Sequence, residues 1–219
     1  MTQMLLGISP DWIPTLENFV AGHNVELLSA LNEAISSPNS EQCIYIWSET
    51  GSGKTHLLQA SVEKARRIGR TADYASGGVP IAAQLVAVDN VELLDNAGQI
   101  ALFELCNHQR EAGSVLVVSG STAPLHLNLR DDLRTRLGWG LVFQLHSLTD
   151  EEKVFAMYQH ANARGFELTP EVTQYLLRHG RRELPALLGV MDALDEHCLR
   201  LKRGASVPLL KEVMQNMSH

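Results

Sequence analysis

The chain has 219 residues, of which 45% are hydrophobic and 20% are charged, and 25 acidic against 18 basic residues give it a formal net charge of −7. This composition is typical of a globular protein, and the acidic balance disfavours direct sequence-specific DNA binding, which usually relies on a basic surface. Three widely spaced cysteines indicate free thiols in a reducing compartment. Because no apolar run approaches the roughly 18 residues of a membrane span and no signal peptide is recognisable, the sequence predicts a cytoplasmic protein without a membrane segment.

Apolar runs and amphipathic segments alternate over the first two thirds of the sequence. Runs buried on both faces and separated by helices predict the α/β class, with a parallel sheet flanked by helices. The predicted strands span 42–47, 71–75, 84–88, 114–119 and 141–145, and the predicted helices span 24–36, 54–68 and 93–112. The crossover at 76–83 is shorter than the roughly dozen residues of a helical crossover, which predicts a trimmed loop or a single turn.

From Thr149 onward the pattern is helical only. Thr149 and Glu152 have the spacing of a capping box, and Pro170 suits the first position of a later helix. The predicted helices span 149–163, 169–179 and 183–203, with a short terminal element over 204–219. The sequence therefore predicts an α/β domain over 13–148 and a small all-helical domain over 149–219.

Residues 48–55 read S-E-T-G-S-G-K-T between a predicted strand and a predicted helix, which is the context of a phosphate-binding loop. Its glycines let backbone N–H groups approach phosphates, Lys54 supplies positive charge to the β- and γ-phosphate oxygens, and Thr55 offers a hydroxyl to Mg²⁺. The predicted nucleotide-binding residues of this loop are Glu49, Thr50, Gly51, Ser52, Gly53, Lys54, Thr55 and His56. Ser48 replaces the usual first glycine, which we expect the turn to tolerate. A plain Gly/Ser surface loop is the alternative, and the position of G-K-T at the helix start disfavours it.

Asp89 and Asn90 follow a predicted buried strand. An acid at this place holds Mg²⁺ in phosphate-binding-loop proteins, so we predict that Asp89 and Thr55 bind the metal. The alternative for Asp89 is a cap for the next helix. Asn90 is also predicted at the nucleotide site, and its amide cannot accept a proton from water as a carboxylate would. Glu92 is expected in the first helical turn, and we therefore predict weak intrinsic ATP hydrolysis.

Two arginines are candidates for contact with phosphate. Arg136 lies in the segment L-R-D-D-L-R-T-R-L-G-W-G over 129–140, just before the last predicted strand. Such a cluster is usually a solvated, self-paired surface, and the alternative is an arginine finger that reaches the γ-phosphate of a neighbouring subunit. Arg182 starts the third helix of the helical domain, where a phosphate contact and a plain surface position are equally compatible with the sequence.

The N-terminal segment 1–12 carries a mostly apolar stretch. Its residues Gln3, Met4, Leu5, Leu6, Gly7 and Ile8 are predicted to be extended. They either pack onto the chain's own core or form a short linear peptide that docks in a hydrophobic pocket of another protein.

Together these motifs resemble the DnaA family of AAA+ ATPases, most closely its shorter regulatory branch, the Hda-type DnaA inactivators. The resemblance covers essentially the whole chain. The matching segments are L-E-N-F-V at 16–20, G-S-G-K-T-H-L-L at 51–58, V-D-N-V-E at 88–92, S-G-S-T-A-P at 119–124, D-L-R-T-R-L-G-W-G at 132–140, R-G-F-E-L at 164–168 and R-E-L at 182–184. A DNA-binding helix-turn-helix domain, which the initiator carries after its lid, is not expected here.

The resemblance implies roles for individual residues. Phe19 and Val20 would lie on the adenine side of bound ADP or ATP with Mg²⁺, Ser121 occupies the sensor-1 position, and Arg182 occupies the sensor-2 position. Ser121 departs from the aspartate expected there, and the 76–83 crossover is shorter than in the family. Arg136 would be the arginine finger.

The resemblance also implies partners and a function. The peptide at residues 3–8 would bind the DNA polymerase III sliding clamp, the beta subunit, and the clamp-bound protein would stimulate ATP hydrolysis by the DnaA initiator. That activity would make it a negative regulator of replication initiation. An autonomous AAA+ ATPase that loads or remodels other proteins, and a nucleotide-binding adaptor without catalytic effect, are the alternatives. A homo-oligomer is compatible with each of them.

Overall fold

The computed structural model describes residues 14–37 and 43–217, and it divides the chain into two compact units between His146 and Ser147. The first unit contains a five-stranded sheet, and the regular elements among the described residues of the second unit are all helices. None of the helices in these described ranges combines the length and apolar character that a membrane span requires.

The sheet of the first unit is parallel throughout. Its strands are β1 Cys43–Trp47, β2 Ala72–Ser76, β3 Leu85–Asp89, β4 Val115–Gly120 and β5 Leu141–Gln144. They lie in the order β2-β3-β4-β1-β5, so β3, β4 and β1 are inner strands. Every residue of β3 and β4 is buried, because strands covered on both faces have to be apolar throughout. The predicted parallel α/β sheet is thus confirmed.

Helices cover both faces of this sheet. They are α1 Val25–Ser36, α2 Lys54–Arg67, α3 Asn96–Ala112 and α4 Asp131–Leu137. Ile44 and Ile46 of β1 belong to the core with α1 and α2, whereas Tyr45 belongs to the core with α3 and α4. This division follows from the alternation of side chains along a strand.

The structure corrects the prediction of one continuous helix over 93–112. A short 3-10 helix at Val91–Leu93 precedes α3, which begins only at Asn96. The chain breaks there because the Asp95 carboxylate accepts a hydrogen bond from the Gly98 N–H at 2.7 Å and caps the new helix. The short α4 was not predicted at all.

The crossover between β2 and β3 has no helix, as predicted from its length. Its end is fastened to the start of β2 by Gln84, whose Oε1 accepts from the Thr71 N–H at 2.9 Å. In return the Thr71 Oγ1 accepts from the Gln84 N–H at 3.1 Å. Two reciprocal bonds therefore close a connection that lacks secondary structure of its own.

The second unit comprises four helices around one apolar core. They are α5 Asp150–Ala163, α6 Pro170–His179, α7 Leu184–Leu201 and α8 Val207–Asn216. The capping box is present: Thr149 Oγ1 accepts from the Glu152 N–H at 3.2 Å, and Glu152 Oε2 accepts from the Thr149 N–H at 2.8 Å. Arg164, the C-cap residue of α5, lies 3.3 Å from Asp195 of α7 and links these two helices.

Candidate nucleotide-binding site

The glycine-rich loop connects the C-terminal end of β1 to the first turn of α2. Gly51 and Gly53 have φ values of 84° and 106°, in the left-handed region that other residues adopt only with strain. A Cβ on Gly53 would lie 2.9 Å from Cε2 of Phe19, so glycine is also required there for space. The loop thus presents backbone N–H groups at a helix N-terminus, the arrangement that binds phosphate.

Lys54 folds back over this loop and is only 8% exposed. Its Nζ donates to Ser48 O at 2.8 Å, to Glu49 O at 3.1 Å and to Ser48 Oγ at 3.2 Å. Burial, the largest influence, lowers the pKa of the Lys54 ammonium, while the negative charges of Glu92 and Asp89 act in the opposite direction. A phosphate that enters the loop would replace neutral acceptors of the ammonium with charged ones, a favourable exchange.

Ser48, at the position of the usual first glycine, adds polar contacts to the loop. The side chain is buried, and its hydroxyl donates to Glu49 O at 3.2 Å and contacts the hydroxyl of Ser52. Ser52 Oγ in turn donates to Glu49 O at 2.8 Å. The turn therefore accommodates a serine at this position, and the serine hydroxyl adds hydrogen bonds within the loop.

Asp89 ends β3 and is fully buried. Thr55 Oγ1 donates to its Oδ2 at 2.6 Å, Tyr74 Oη donates to the same oxygen at 3.0 Å, and Ser119 Oγ donates to Oδ1. The carboxylate does not cap a helix, since Asp95 has that role for α3. Mg²⁺ takes oxygen ligands, and the adjacent Thr55 hydroxyl and Asp89 carboxylate provide them, so these residues fit the metal.

Asn90 has a left-handed backbone conformation with φ 56°. Its Nδ2 donates to Ser76 Oγ at 3.0 Å, and its backbone N–H donates to Ser119 Oγ at 3.2 Å. Glu92 lies in the 3-10 helix that follows, as expected. The amide of Asn90 is thus hydrogen-bonded to Ser76.

An aromatic pair adjoins the loop on the side predicted for adenine. The rings of Phe19 and His56 have centroids 5.4 Å apart and are tilted by 54°. His56 Nε2 bonds with Thr15 O at 3.0 Å, which fastens the segment before α1 to the start of α2. Burial lowers the pKa of His56. Val20 is half-buried in the same segment.

The arginine-rich segment around α4 is self-paired only in part. Arg130 lies 2.8 Å from Asp132, and Arg134 pairs with Asp131, both at the surface. Arg136 forms no ion pair with any residue in the described ranges. The interpretation as a self-paired surface therefore holds for two of these arginines and not for Arg136.

Arg136 instead lies between two aromatic rings. Its guanidinium carbon is 4.2 Å from the ring centroid of Trp139 and 5.5 Å from that of Phe103. Arg110 lies 5.5 Å from the centroid of Trp139, which is 60% exposed. Two guanidinium groups thus lie within cation–π distance of one exposed indole.

Two family models match this chain. One describes the bacterial DnaA ATPase domain and matches residues 12–73, and the other describes the lid domain of Hda and matches residues 150–214. The chain belongs to the DnaA family of AAA+ ATPases, close to Hda.

Solved structures of AAA+ proteins share the fold of this DnaA-family chain. Domain III of the Thermotoga maritima replication initiation protein DnaA is 20% identical, with a TM-score of 0.74 over 92% of this chain and 95% of that one. AMPPCP-bound DnaA from Aquifex aeolicus is 23% identical, with a TM-score of 0.71 over 83% and 66%. The Thermotoga maritima RuvB Holliday junction branch migration motor is 17% identical, with a TM-score of 0.66 over 92% and 71%.

Of the remaining predicted residues, Ser121 follows β4 in the first unit, Arg182 belongs to the second unit, and residues 3–8 fall outside the described ranges. Ser121 is exposed in the turn after β4, which is held by a bond from Tyr45 Oη to Thr122 O at 2.9 Å. Arg182 is exposed in the second unit, just before α7. The predicted clamp-binding residues 3–8 lie outside the residues that the structure describes.

Sequence reasoning missed four residues that the structure brings to these places. Tyr74 and Ser119 bind the Asp89 carboxylate, and Trp139 and Phe103 contact Arg136. A polar Ser119 near the end of an otherwise apolar strand was a usable signal, and so was an aromatic residue three positions after Arg136. Tyr74 carried no signal, since an aromatic residue is ordinary in a strand.

Proposed function

We propose that this protein binds an adenine nucleotide and regulates replication initiation by stimulating ATP hydrolysis by DnaA, together with the DNA-loaded sliding clamp. The observation that carries this proposal is the match of the helical unit to the lid domain of Hda, because it distinguishes the regulatory branch from other AAA+ proteins. The guanidinium of Arg136, which has no carboxylate partner among the described residues, supports the catalytic part.

Nucleotide binding rests on the loop and its neighbours. The loop from Glu49 to His56 would hold the phosphates of ADP or ATP, and Lys54 would transfer its hydrogen bonds from loop carbonyls to phosphate oxygens. Thr55 and Asp89 would hold Mg²⁺, which neutralises phosphate charge when bound. Phe19 and Val20 would contact adenine, and two DnaA structures that share the fold contain the nucleotide analogue AMPPCP.

Weak turnover by this chain alone is expected from its residues. The amide of Asn90 accepts no proton from water and is bound to Ser76. The nucleotide bound to this protein would then control the conformation of the protein rather than be hydrolysed repeatedly.

The stimulation itself would come from Arg136. A guanidinium supplied in trans stabilises the charge that develops on the γ-phosphate and raises the hydrolysis rate by roughly 10³ to 10⁵. In this chain the guanidinium lacks a carboxylate partner among the described residues and rests on Trp139, so no ion pair has to break before it reaches DnaA. Residues 3–8 would bind the clamp and thereby raise the effective concentration of the two proteins at DNA.

The test measures steady-state ATP hydrolysis by purified DnaA with this protein, with and without DNA-loaded clamp. We expect clamp-dependent acceleration, little turnover by this protein alone, and loss of acceleration in Arg136→Ala with retained complex formation. Arg130→Ala, which removes an ion-paired arginine of the same segment, is the matched control and should stimulate normally. Full stimulation by Arg136→Ala would refute the finger.

Clamp loading is tested separately. Deletion of residues 2–8 should abolish binding to the clamp and leave the far-UV spectrum and nucleotide affinity unchanged. Unchanged clamp affinity after this deletion would exclude the peptide as the clamp-binding element. Stable binding to DnaA without any change in its hydrolysis would indicate the adaptor.

An autonomous ATPase is the second candidate, favoured by the 2.6 Å contact between Thr55 and Asp89, which pairs the two predicted metal ligands. It predicts robust turnover by this protein alone, at a rate that DnaA and clamp do not change. The same assay therefore separates the two candidates.

A further inference from the structure

The carboxylate of Asp89 is held between the two strands that flank its own. The sheet order places β3 between β2 and β4, and each neighbour supplies a hydroxyl: Tyr74 from β2, to Oδ2 at 3.0 Å, and Ser119 from β4, to Oδ1. Tyr74 pairs in register with Ala87, two residues before Asp89, so both side chains point to the same face of the sheet. The contact is thus built into the register of the strands.

This carboxylate is fully buried, its hydrogen-bond partners within the described ranges are three hydroxyl groups, and it also interacts electrostatically with the Lys54 ammonium. Burial of a charged carboxylate is unfavourable, and hydroxyl donors offset only part of that cost. They leave the negative charge in place, and so the site keeps its attraction for a cation. The donors also determine which way the carboxylate faces.

The two strand hydroxyls differ in role from Thr55. Thr55 is itself a predicted metal ligand on α2. Tyr74 and Ser119, in contrast, lie on strands and donate hydrogen bonds to the carboxylate. Donors of this kind orient a metal ligand and reduce the reorganisation needed on binding.

We infer that Tyr74, with Ser119, is a positioning residue that fixes the Asp89 carboxylate for Mg²⁺, and that it thereby sets how strongly Mg²⁺ enhances nucleotide binding. The inference rests on the proposed nucleotide site. It predicts that loss of the Tyr74 hydroxyl weakens the enhancement of nucleotide binding by Mg²⁺ and leaves nucleotide affinity without metal nearly unchanged. A merely structural role of Tyr74 would lower both affinities.

The test measures binding of fluorescent methylanthraniloyl-ADP to the full chain across a Mg²⁺ series and in EDTA. Tyr74→Phe keeps the ring, which packs against the core, and removes only the hydroxyl. We expect the Mg²⁺ concentration for half-maximal enhancement to rise about three- to tenfold, with affinity in EDTA changed less than about twofold. Ser119→Ala should act in the same direction. Tyr175→Phe, in the helical unit, should leave the response unchanged.

Controls separate this inference from the proposed function. Lys54→Ala should abolish binding in both conditions, and absence of binding by the parent protein would overturn the nucleotide site and the inference together. If the parent binds and responds to Mg²⁺ but Tyr74→Phe and Ser119→Ala respond equally, only the inference is wrong. An equal loss in EDTA and in Mg²⁺ would likewise show a structural role and overturn it. Ser119→Ala decides the question if Tyr74→Phe does not fold.

Discussion

Arg136 and Trp139 are stacked, with the guanidinium carbon 4.2 Å from the centroid of the indole ring. Trp139 is 60% exposed, so the stack lies at the surface of the first unit, where a partner protein can reach it. Trp139 follows the C-cap of α4, and its N–H donates to Arg136 O at 3.1 Å, so the turn that ends the helix brings the two residues together. The proposed arginine finger is therefore in contact with an exposed aromatic ring.

Trp139→Leu is expected to reduce clamp-dependent stimulation of DnaA by about two- to fivefold, because an exposed cation–π contact is worth roughly 0.5–1 kcal/mol. Trp139→Phe should retain most of the stimulation, since it keeps an aromatic face beneath the guanidinium. The measurement is the rate of ATP hydrolysis by DnaA at saturating concentrations of either variant. Stronger stimulation by Trp139→Leu would instead show that the stack restrains Arg136.

Asn90→Asp is expected to raise ATP turnover by this chain alone by at least about tenfold, because a carboxylate can accept a proton from the attacking water. Asparagine and aspartate both tolerate the left-handed backbone at this position, where φ is 56°. Steady-state phosphate release measures the effect. The double variant with Lys54→Ala should return to background, and unchanged turnover in Asn90→Asp would mean that the amide does not limit hydrolysis.

Gly53→Ala is expected to destabilise the protein by about 1–3 kcal/mol, since φ is 106° and the new Cβ would lie 2.9 Å from Phe19. Gly189→Ala is a matched control within α7, where an added Cβ meets nothing within 4 Å and should stabilise the helix by about 1 kcal/mol. Urea denaturation followed by circular dichroism compares the two. Equal midpoints for both variants would contradict the required glycine conformation.

His56 is expected to make stability depend on pH. Its folded-state pKa lies below the ordinary value of 6.5 because of burial, so near that pH the unfolded chain binds more protons. Stability should therefore fall as pH decreases through 6.5 toward the lower folded-state pKa. The free energy of unfolding at about pH 7.5 and about pH 5.5 measures the loss. His56→Gln should show a smaller loss, and an equal loss would assign the dependence to other groups.

Local signals in the sequence were sufficient for much of this fold. The capping box of Thr149 and Glu152, and Pro170 at the start of a helix, act within one turn of chain and appear as predicted. The predicted start of α3 was three residues too early. The Asp95 carboxylate accepts from the Gly98 N–H and caps the helix there, and hydrophobic periodicity does not locate such a cap. The seven-residue α4 escaped prediction because only its packing through Leu133 and Leu137 identifies it as structure.

The sequence by itself determined the phosphate-binding loop, the acid at the end of a buried strand and the succession of an α/β part and a helical part. Each depends on residues adjacent along the chain or on the periodicity of one element. Only the tertiary structure decided that Tyr74 and Ser119 hold Asp89 and that Arg136 rests between Phe103 and Trp139. Those contacts depend on the strand order β2-β3-β4-β1-β5 and on helix packing, which bring together residues far apart in the chain.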